Sequence, residues 1–258
     1  MTDIDNGEVL FHQDRYVGET KAAIRMIDMN DPEDVKRMLD IANSKRTNEF
    51  VEGMEGMDES DVKNWVSISE SQTKHPERRA DNRDWQIVYA VSGSPDNVQH
   101  DEVGELQGFI NFYTDQETRD RVRAISKDPS MNRETQIVEI GLAKWPEAPS
   151  RQMASGIRQA ALEINKLKGK GVERMKGKYS AAMEPIMVLT AFIKPQNTSS
   201  MEAFADAGFE NQGLVEYVEG DTTEEVYYYR LNWEKLNQKM HEQSDTLKNL
   251  FTQKQTPK

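Results

Sequence analysis

Apolar and polar positions fall into blocks with two different periods along this chain. Ala22 to Met29 (AAIRMIDM) sets Ile24 and Met26 against Ala23, Ile27 and Met29, an alternation that predicts a first strand. Asp31-Pro32-Glu33-Asp34 then reads as a helix start: Asp31 suits the cap, Pro32 the first helical position, and the two acids the positive end of the helix dipole. Val35, Met38, Leu39 and Ala42 give that helix its apolar stripe, and Val62, Trp65, Val66 and Ile68 mark a second from Glu59 to Ser71. Gln72 to Arg83 is polar and reads as a loop. Trp85 to Val91 and Glu105 to Tyr113 are strands joined by a long Gly/Ser/Pro turn, hence an antiparallel hairpin.

Arg119 to Glu134 is a charged insertion with little apolar content. Gln136 to Trp145 (QIVEIGLAKW) is a more apolar strand and is placed at the centre. A helix from Arg151 to Leu167 carries Ile157, Ala160, Ala161, Ile164 and Leu167 on one face, and Ile186 to Ile193 (IMVLTAFI) is a continuous apolar run of the kind found in a fully buried strand. The strand–helix–strand passage makes these two strands parallel neighbours. A short helix, Ser199 to Ala207, ends at Gly208, and two strands, Phe209 to Tyr217 and Glu225 to Leu231, close the fold as a hairpin. The expected class is mixed α/β, with about four helices flanking a central, mostly antiparallel sheet. Residues 1–21 are expected as an N-terminal arm, 22–233 as the domain and 234–258 as a C-terminal helix and tail.

Composition narrows the chemistry. The 258 residues contain no cysteine, which removes disulfides, Cys-based zinc or iron–sulfur sites and a thiol nucleophile. Together with the acidic N-terminus, which lacks an apolar signal core, this predicts a cytoplasmic protein. No apolar run approaches the roughly 20 residues of a membrane span. The formal net charge of −12 opposes nucleic-acid binding, which needs clustered Lys and Arg. His12, His75, His100 and His241 are scattered without metal-ligand spacing, so no metal is expected. The basic run Lys166 to Lys178 reads as a solvated helix end and loop. Trp233, Leu236, Met240, Leu247 and Phe251 form a C-terminal helical stripe, which packs on its own domain or, alternatively, makes a homodimer.

Arg151-Gln152-Met153-Ala154-Ser155-Gly156 sits where a strand gives way to a helix. Small residues there let a ligand approach the main chain, and first-turn N–H groups with the helix dipole suit a phosphate or pyrophosphate. Further on, Asn197 follows a strand, a short helix comes next, and Gly208-Phe209 opens another strand. These two stretches, in this order on these elements, resemble the GCN5-related N-acetyltransferase (GNAT) superfamily. Its acyl-CoA motif is Arg or Gln, two residues, Gly or Ala, one residue, Gly or Ala, and Arg151, Ala154 and Gly156 occupy those positions. The resemblance spans Ala22 to Trp233.

The resemblance implies a sheet that splays between Gln136–Trp145 and Ile186–Ile193, with acetyl-CoA as acyl donor and a primary amine, small molecule or peptide, as acceptor by direct attack on the thioester. It places the pantetheine arm along the backbone near Leu142 and Lys144, the pyrophosphate on the amides of Met153 to Gly156, and the oxyanion on the Leu142 N–H. Asn197 would touch the cofactor or tie down the second strand. Glu139, on the central strand, is the candidate general base, although an ordinary polar position on a strand face is the plainer reading. The sequence departs from the family in two places. Phe204 stands where a Tyr usually protonates the departing thiolate, so that water or another hydroxyl (Tyr113 or Tyr228) serves, the thiolate leaves unassisted, or the chain is a weak or inactive acyl-CoA-binding module. The loop Pro146 to Ser150 is about two residues longer than usual.

Overall fold

A computed structural model describes residues 16–17, 20–51, 54–74, 84–94, 105–126, 128, 131, 135–175, 187–219 and 222–241. Eight strands form one sheet in the order β1-β2-β3-β4-β5-β6-β8-β7. They are β1 (Tyr16–Val17), β2 (Thr20–Arg25), β3 (Trp85–Ser94), β4 (Leu106–Thr114), β5 (Gln136–Lys144), β6 (Met187–Ile193), β7 (Phe209–Glu219) and β8 (Thr222–Leu231). Every pairing is antiparallel except β5 with β6. Among the described residues six helices accompany them: α1 (Pro32–Ala42), α2 (Lys45–Phe50), α3 (Glu59–Lys74), α4 (Gln116–Ser126), α5 (Ser150–Met175) and α6 (Thr198–Asp206). A last helical stretch covers 233–241.

The mixed sheet, the β3–β4 hairpin and the parallel β5–β6 pair are as the pattern predicts. The count of about four helices is too low. α2 escapes because its six residues carry one large apolar side chain; Ser44 caps it by accepting from the Thr47 N–H at 3.1 Å. α4 escapes because most of it lies in the charged insertion, where Val122, Ala124 and Ile125 are the only aliphatic residues. It folds because Asp115 caps it, accepting from the Thr118 N–H at 2.7 Å, and because Val122 is fully buried against Ile137, Val188 and Tyr228. The first strand also starts earlier, at Thr20, and stops at Arg25, where the chain turns toward the α1 cap. α5 runs on to Met175, through much of the basic run. Most of the N-terminal arm, residues 75–83 of the polar loop, the β3–β4 turn, 132–134, 176–178, and Leu247 and Phe251 lie outside the described residues.

Two cores cover the two faces of the sheet. On one, Met153, Ile157, Ala160, Ala161 and Ile164 of α5 meet Tyr89, Val91, Ile110, Phe112, Val138 and Ile140, with Phe204 of α6 and Leu236 of the last helical stretch sealing the end. The C-terminal stripe therefore packs on its own domain as far as Trp233, Leu236 and Met240. On the other face, α1 and α3 cover Val88, Ala90, Phe109 and Ala143, and α4 makes its own small cluster beside them. β4 and β5 are buried on both sides, which explains their nearly continuous apolar runs.

The second face carries a buried ion pair. The Arg25 guanidinium grips both carboxylate oxygens of Asp34 and also donates to Ser92 Oγ at 3.0 Å and to the Met26 carbonyl at 3.1 Å. Asp34 in turn accepts from the Asp28 N–H at 3.1 Å, so one cluster ties β2, β3 and the start of α1. Removing one partner leaves a buried charge without its counter-charge. Asp34→Ala is expected to lose about 3–5 kcal/mol of stability in urea unfolding at neutral pH, and a double Arg25→Met, Asp34→Leu substitution to recover part of it.

Candidate active site

β5 and β6 pair in register from Gln136–Met187 to Glu139–Thr190, and there the pairing stops. Beyond that point β5 stays on β4, from Ile140–Phe112 to Lys144–Gly108, while β6 stays on β8 through Ile193–Tyr227. The two parallel strands therefore splay. The Trp145 N–H donates to the Gln107 carbonyl of the β4 side at 2.8 Å. Strand groups alternate in direction, so Ala143 and Gly141 also face β4, while the N–H and C=O groups of Ile140, Leu142 and Lys144 face the gap. On the same parity, the Val138 carbonyl accepts from Thr190 Oγ1 of β6 at 3.3 Å. An extended ligand with amide groups could take the place of the missing strand pairing.

A cavity of about 170 Å³ opens at the splay. It reaches both faces of the sheet. Ile140, Leu142, Asn197, Ser200 and Phe204 line it toward α6, and Tyr113, Glu139, Phe192 and Tyr217 line it toward α4, with Phe50 and Val51 at the rim. Two helix starts converge on the α6 side, where Ser150 Oγ and Ser199 Oγ lie 3.1 Å apart. Asn197 caps α6, its side-chain oxygen accepting from the Ser200 N–H at 3.2 Å, so the residue both ends the β6 turn and faces the cavity.

At the other end, Glu139 is 6 % exposed and sits directly opposite Tyr113 on β4. Arg121 of α4 reaches in from the side. Its Nη1 lies 3.9 Å from the Glu139 carboxylate and donates to the Tyr217 hydroxyl, and its Nη2 donates to Glu117 at 2.9 Å. The guanidinium lies 4.3 Å from the centre of the Tyr217 ring, which packs 4.8 Å from Phe192. Burial, the Glu139 charge and a hydrogen bond to Glu139 push the Tyr113 phenol well above its ordinary value, so it is a protonated donor at neutral pH. Burial alone would lower the Arg121 guanidinium, but Tyr217, Glu139 and Glu117 outweigh it and raise it.

Of the residues singled out from the sequence, Glu139, Leu142 and Asn197 come together at the cavity; Lys144 and 151–156 do not line it. Lys144 donates its ammonium to the Ala148 carbonyl at 2.7 Å, and burial followed by the Arg46 charge lowers its affinity for a proton. The amides of Met153 to Gly156 lie inside a helix that starts before them. α5 begins at Ser150, and the Met153 N–H already turns back to Pro149, so only the first-turn amides before it lack helical partners. Of those, Gln152 donates to the Pro149 carbonyl at 3.0 Å, which leaves Ser150 and Arg151. Arg151 is exposed, whereas Gln152, Met153, Ala154 and Ser155 are buried. Ser155 Oγ accepts from Gln159, whose amide oxygen accepts from the Ile24 N–H at 3.3 Å.

Tyr228 is not at the site. It is buried in the α4 cluster, stacked on Phe192, and burial lifts its phenol to about 12. Nothing in the sequence pattern marks Arg121 or Tyr217. Both are polar residues in segments without a motif, and only folding puts them beside Glu139. Among the described residues there is no cluster of His, Asp and Glu able to hold a metal, and no helix is long and apolar enough to cross a membrane.

No protein-family model matches the chain, and no curated protein matches its sequence. Solved structures do match. An aminoglycoside acetyltransferase, AAC(6')-Ib, in complex with coenzyme A aligns over 84 % of this chain and 98 % of its own at 12 % identity, with a TM-score of 0.51. The same enzyme with paromomycin and acetyl-CoA aligns over 84 % and 96 % at 13 % identity, with a TM-score of 0.50. The fold is that of this acetyltransferase. In this fold the small residues of the Arg151–Gly156 stretch have a packing reason. A Cβ on Gly156 would fall 2.6 Å and 2.9 Å from the two methyl groups of Val91, so glycine is what allows α5 to lie on β3. Overpacking costs about 1–3 kcal/mol, more than the helix propensity of about 1 kcal/mol that Ala returns. Gly156→Ala is therefore expected to lower the unfolding midpoint in urea even without ligand; an unchanged or higher midpoint would mean that the position is not packing-limited.

Proposed function

We propose that this protein is an acetyl-CoA-dependent N-acetyltransferase acting on a primary amine. The observation that carries the reading is the cavity at the end of the β5–β6 pairing, with unpaired strand backbone toward α6 and a buried carboxylate toward α4. A thioester bound there supplies an activated acetyl carbonyl. The Leu142 N–H, held by β5 and facing the gap, donates to the carbonyl oxygen as negative charge builds on it. The N–H groups of Ser150 and Arg151 and the Arg151 side chain receive the pyrophosphate at the start of α5. Asn197 and Ser200 border the arm of the donor at the start of α6.

Glu139 accepts the proton that the amine loses as its nitrogen bonds to the acetyl carbon, directly or through one water. The carbon–sulfur bond then breaks and the thiolate leaves. With Phe204 in place of a hydroxyl, the thiolate takes its proton from water. Tyr113 is a poor acid for that step: its phenol holds its proton more tightly than a thiol of ordinary pKa about 8.5, and it is hydrogen-bonded to Glu139. Fixing both reactants in one cavity also removes the entropic cost of their encounter.

A second reading is a weak or inactive acyl-CoA-binding module, and one observation favours it. Phe204 is 2 % exposed, edge-on to Phe209 at 5.0 Å, and fills the cavity wall with carbon. Calorimetric titration with acetyl-CoA followed by thiol release across a panel of amines separates the two. Saturable binding with amine-dependent release supports the enzyme; binding without release on any amine supports the module, and no binding rejects both. In the enzyme case Glu139→Gln is expected to slow turnover by about 10²–10⁴-fold with acetyl-CoA affinity retained. Phe204→Tyr is expected to raise turnover if departure of the thiolate limits the rate.

A further inference from the structure

We propose that Arg121 is a positioning residue that holds Glu139 as a charged carboxylate facing the cavity and fixes Tyr217 as the opposite wall. The importance of Glu139 to the reaction rests on the function proposed above; the geometry of the cluster does not. Three elements meet at this guanidinium. Glu139 comes from β5 at the last paired position before the splay, Tyr217 from β7 beyond β6 and β8, and Glu117 from the preceding turn of α4 itself. Its Nη1 faces both the Glu139 carboxylate and the Tyr217 hydroxyl while Nη2 holds Glu117, a set of contacts that a point-charge ammonium cannot reproduce in full. The Arg121 side chain is 12 % exposed and that of Glu139 is 8 %, so their attraction is weakly screened although they stand 3.9 Å apart.

The groups around Glu139 divide its work. Tyr113, from β4, donates a neutral hydrogen bond and brings no charge. Lys194 and Glu224, farther along the cavity wall, are paired with each other at 2.9 Å. Among the described residues Arg121 is a cation beside Glu139, reaching it from behind the cavity wall, and Glu117 on its outer edge keeps the guanidinium aimed inward. An opposite charge at this distance favours the ionised carboxylate. The same fork bridges α4 to the closing hairpin and sets the width of the cavity between Glu139 and Tyr217. A short charged helix with hardly any apolar face would then be held in place by the site it serves.

The test needs no acceptor. In protein labelled with ¹³C at the glutamate carboxyls, the resonance that disappears in Glu139→Gln belongs to Glu139 and can be followed with pH. Arg121→Gln keeps a donor for Tyr217 but removes the charge, and Arg121→Met removes both. Each is expected to move the Glu139 midpoint up by about one pH unit or more, and Arg121→Lys to return it most of the way. A Glu139 midpoint in Arg121→Gln equal to that of the unsubstituted protein overturns the proposal, as does an upward shift that Arg121→Lys leaves in full. A loss of thermal stability in Arg121→Met with an unmoved midpoint in Arg121→Gln assigns Arg121 a purely structural role. The acid limb of turnover, measured with whichever amine is active, is expected to follow the carboxyl midpoint. A limb that stays put while the midpoint moves leaves the pair intact and removes Glu139 from the proton path.

Discussion

The organisation of this molecule depends on the place where two parallel strands stop pairing. β5 and β6 share four registered positions and then part, each held by its antiparallel neighbour on the far side. Strand backbone left facing a gap is costly when dry, since every buried N–H and C=O needs a partner. The fold places those groups at an open cavity, where a ligand or water can satisfy them. The parallel pairing itself demands a crossover, and α5, 26 residues long, supplies it while its apolar face covers the sheet. Its N-terminus is thereby delivered to the same end of the strands as the gap. The ligand-accepting features are consequences of one topological choice.

The same choice gives the site two sides of different character. Alternate residues of β5 face opposite cores, so Ile140 and Leu142 point to the α5–α6 layer while Glu139 and Gly141 point to the α4 layer. Where the sheet is continuous these sides never meet. At the splay they open into one cavity, and a backbone-rich, helix-terminated side communicates with a carboxylate-and-phenol side. A donor and an acceptor arriving from opposite faces of the sheet would meet at the level of Glu139. The acidic net charge of −12 is no obstacle to an anionic donor, because the α5 side offers helix starts, Arg151, Lys144 and Arg46 locally.

Side chains with two plausible purposes separate cleanly once packing is known. Gly156 is small because Val91 lies beneath it, and Ala154 is buried in the same helix face. Asn197 is a helix cap that also borders the cavity. Phe204, out of place when compared with a family pattern, is well placed as a core residue against Phe209. The charged segment after β4 is the reverse case. Its sequence looks like solvated surface, yet Arg119 and Thr118 are buried and Arg121 reaches Glu139 at the edge of the site.

The sequence alone determined the strands and most of the helices, since periods of two and 3.6 are written in single residues and their near neighbours. It also marked the parallel pair, because a helix between two apolar runs leaves little other geometry; the family resemblance then pointed to Glu139, Leu142 and Asn197, which lie on or just after those two strands. What it could not contain was the partnership of residues far apart in the chain. Arg121 and Tyr217 are 96 positions apart, and their meeting with Glu139 depends on β7 returning beyond β8 at the sheet edge while α4 folds over β5. The starting residue of α5 was equally hidden, and with it the set of amides left free, because a helix boundary is fixed by which carbonyl the first N–H groups find. Local periodicity carries the elements; long-range packing decides which charges share a cavity.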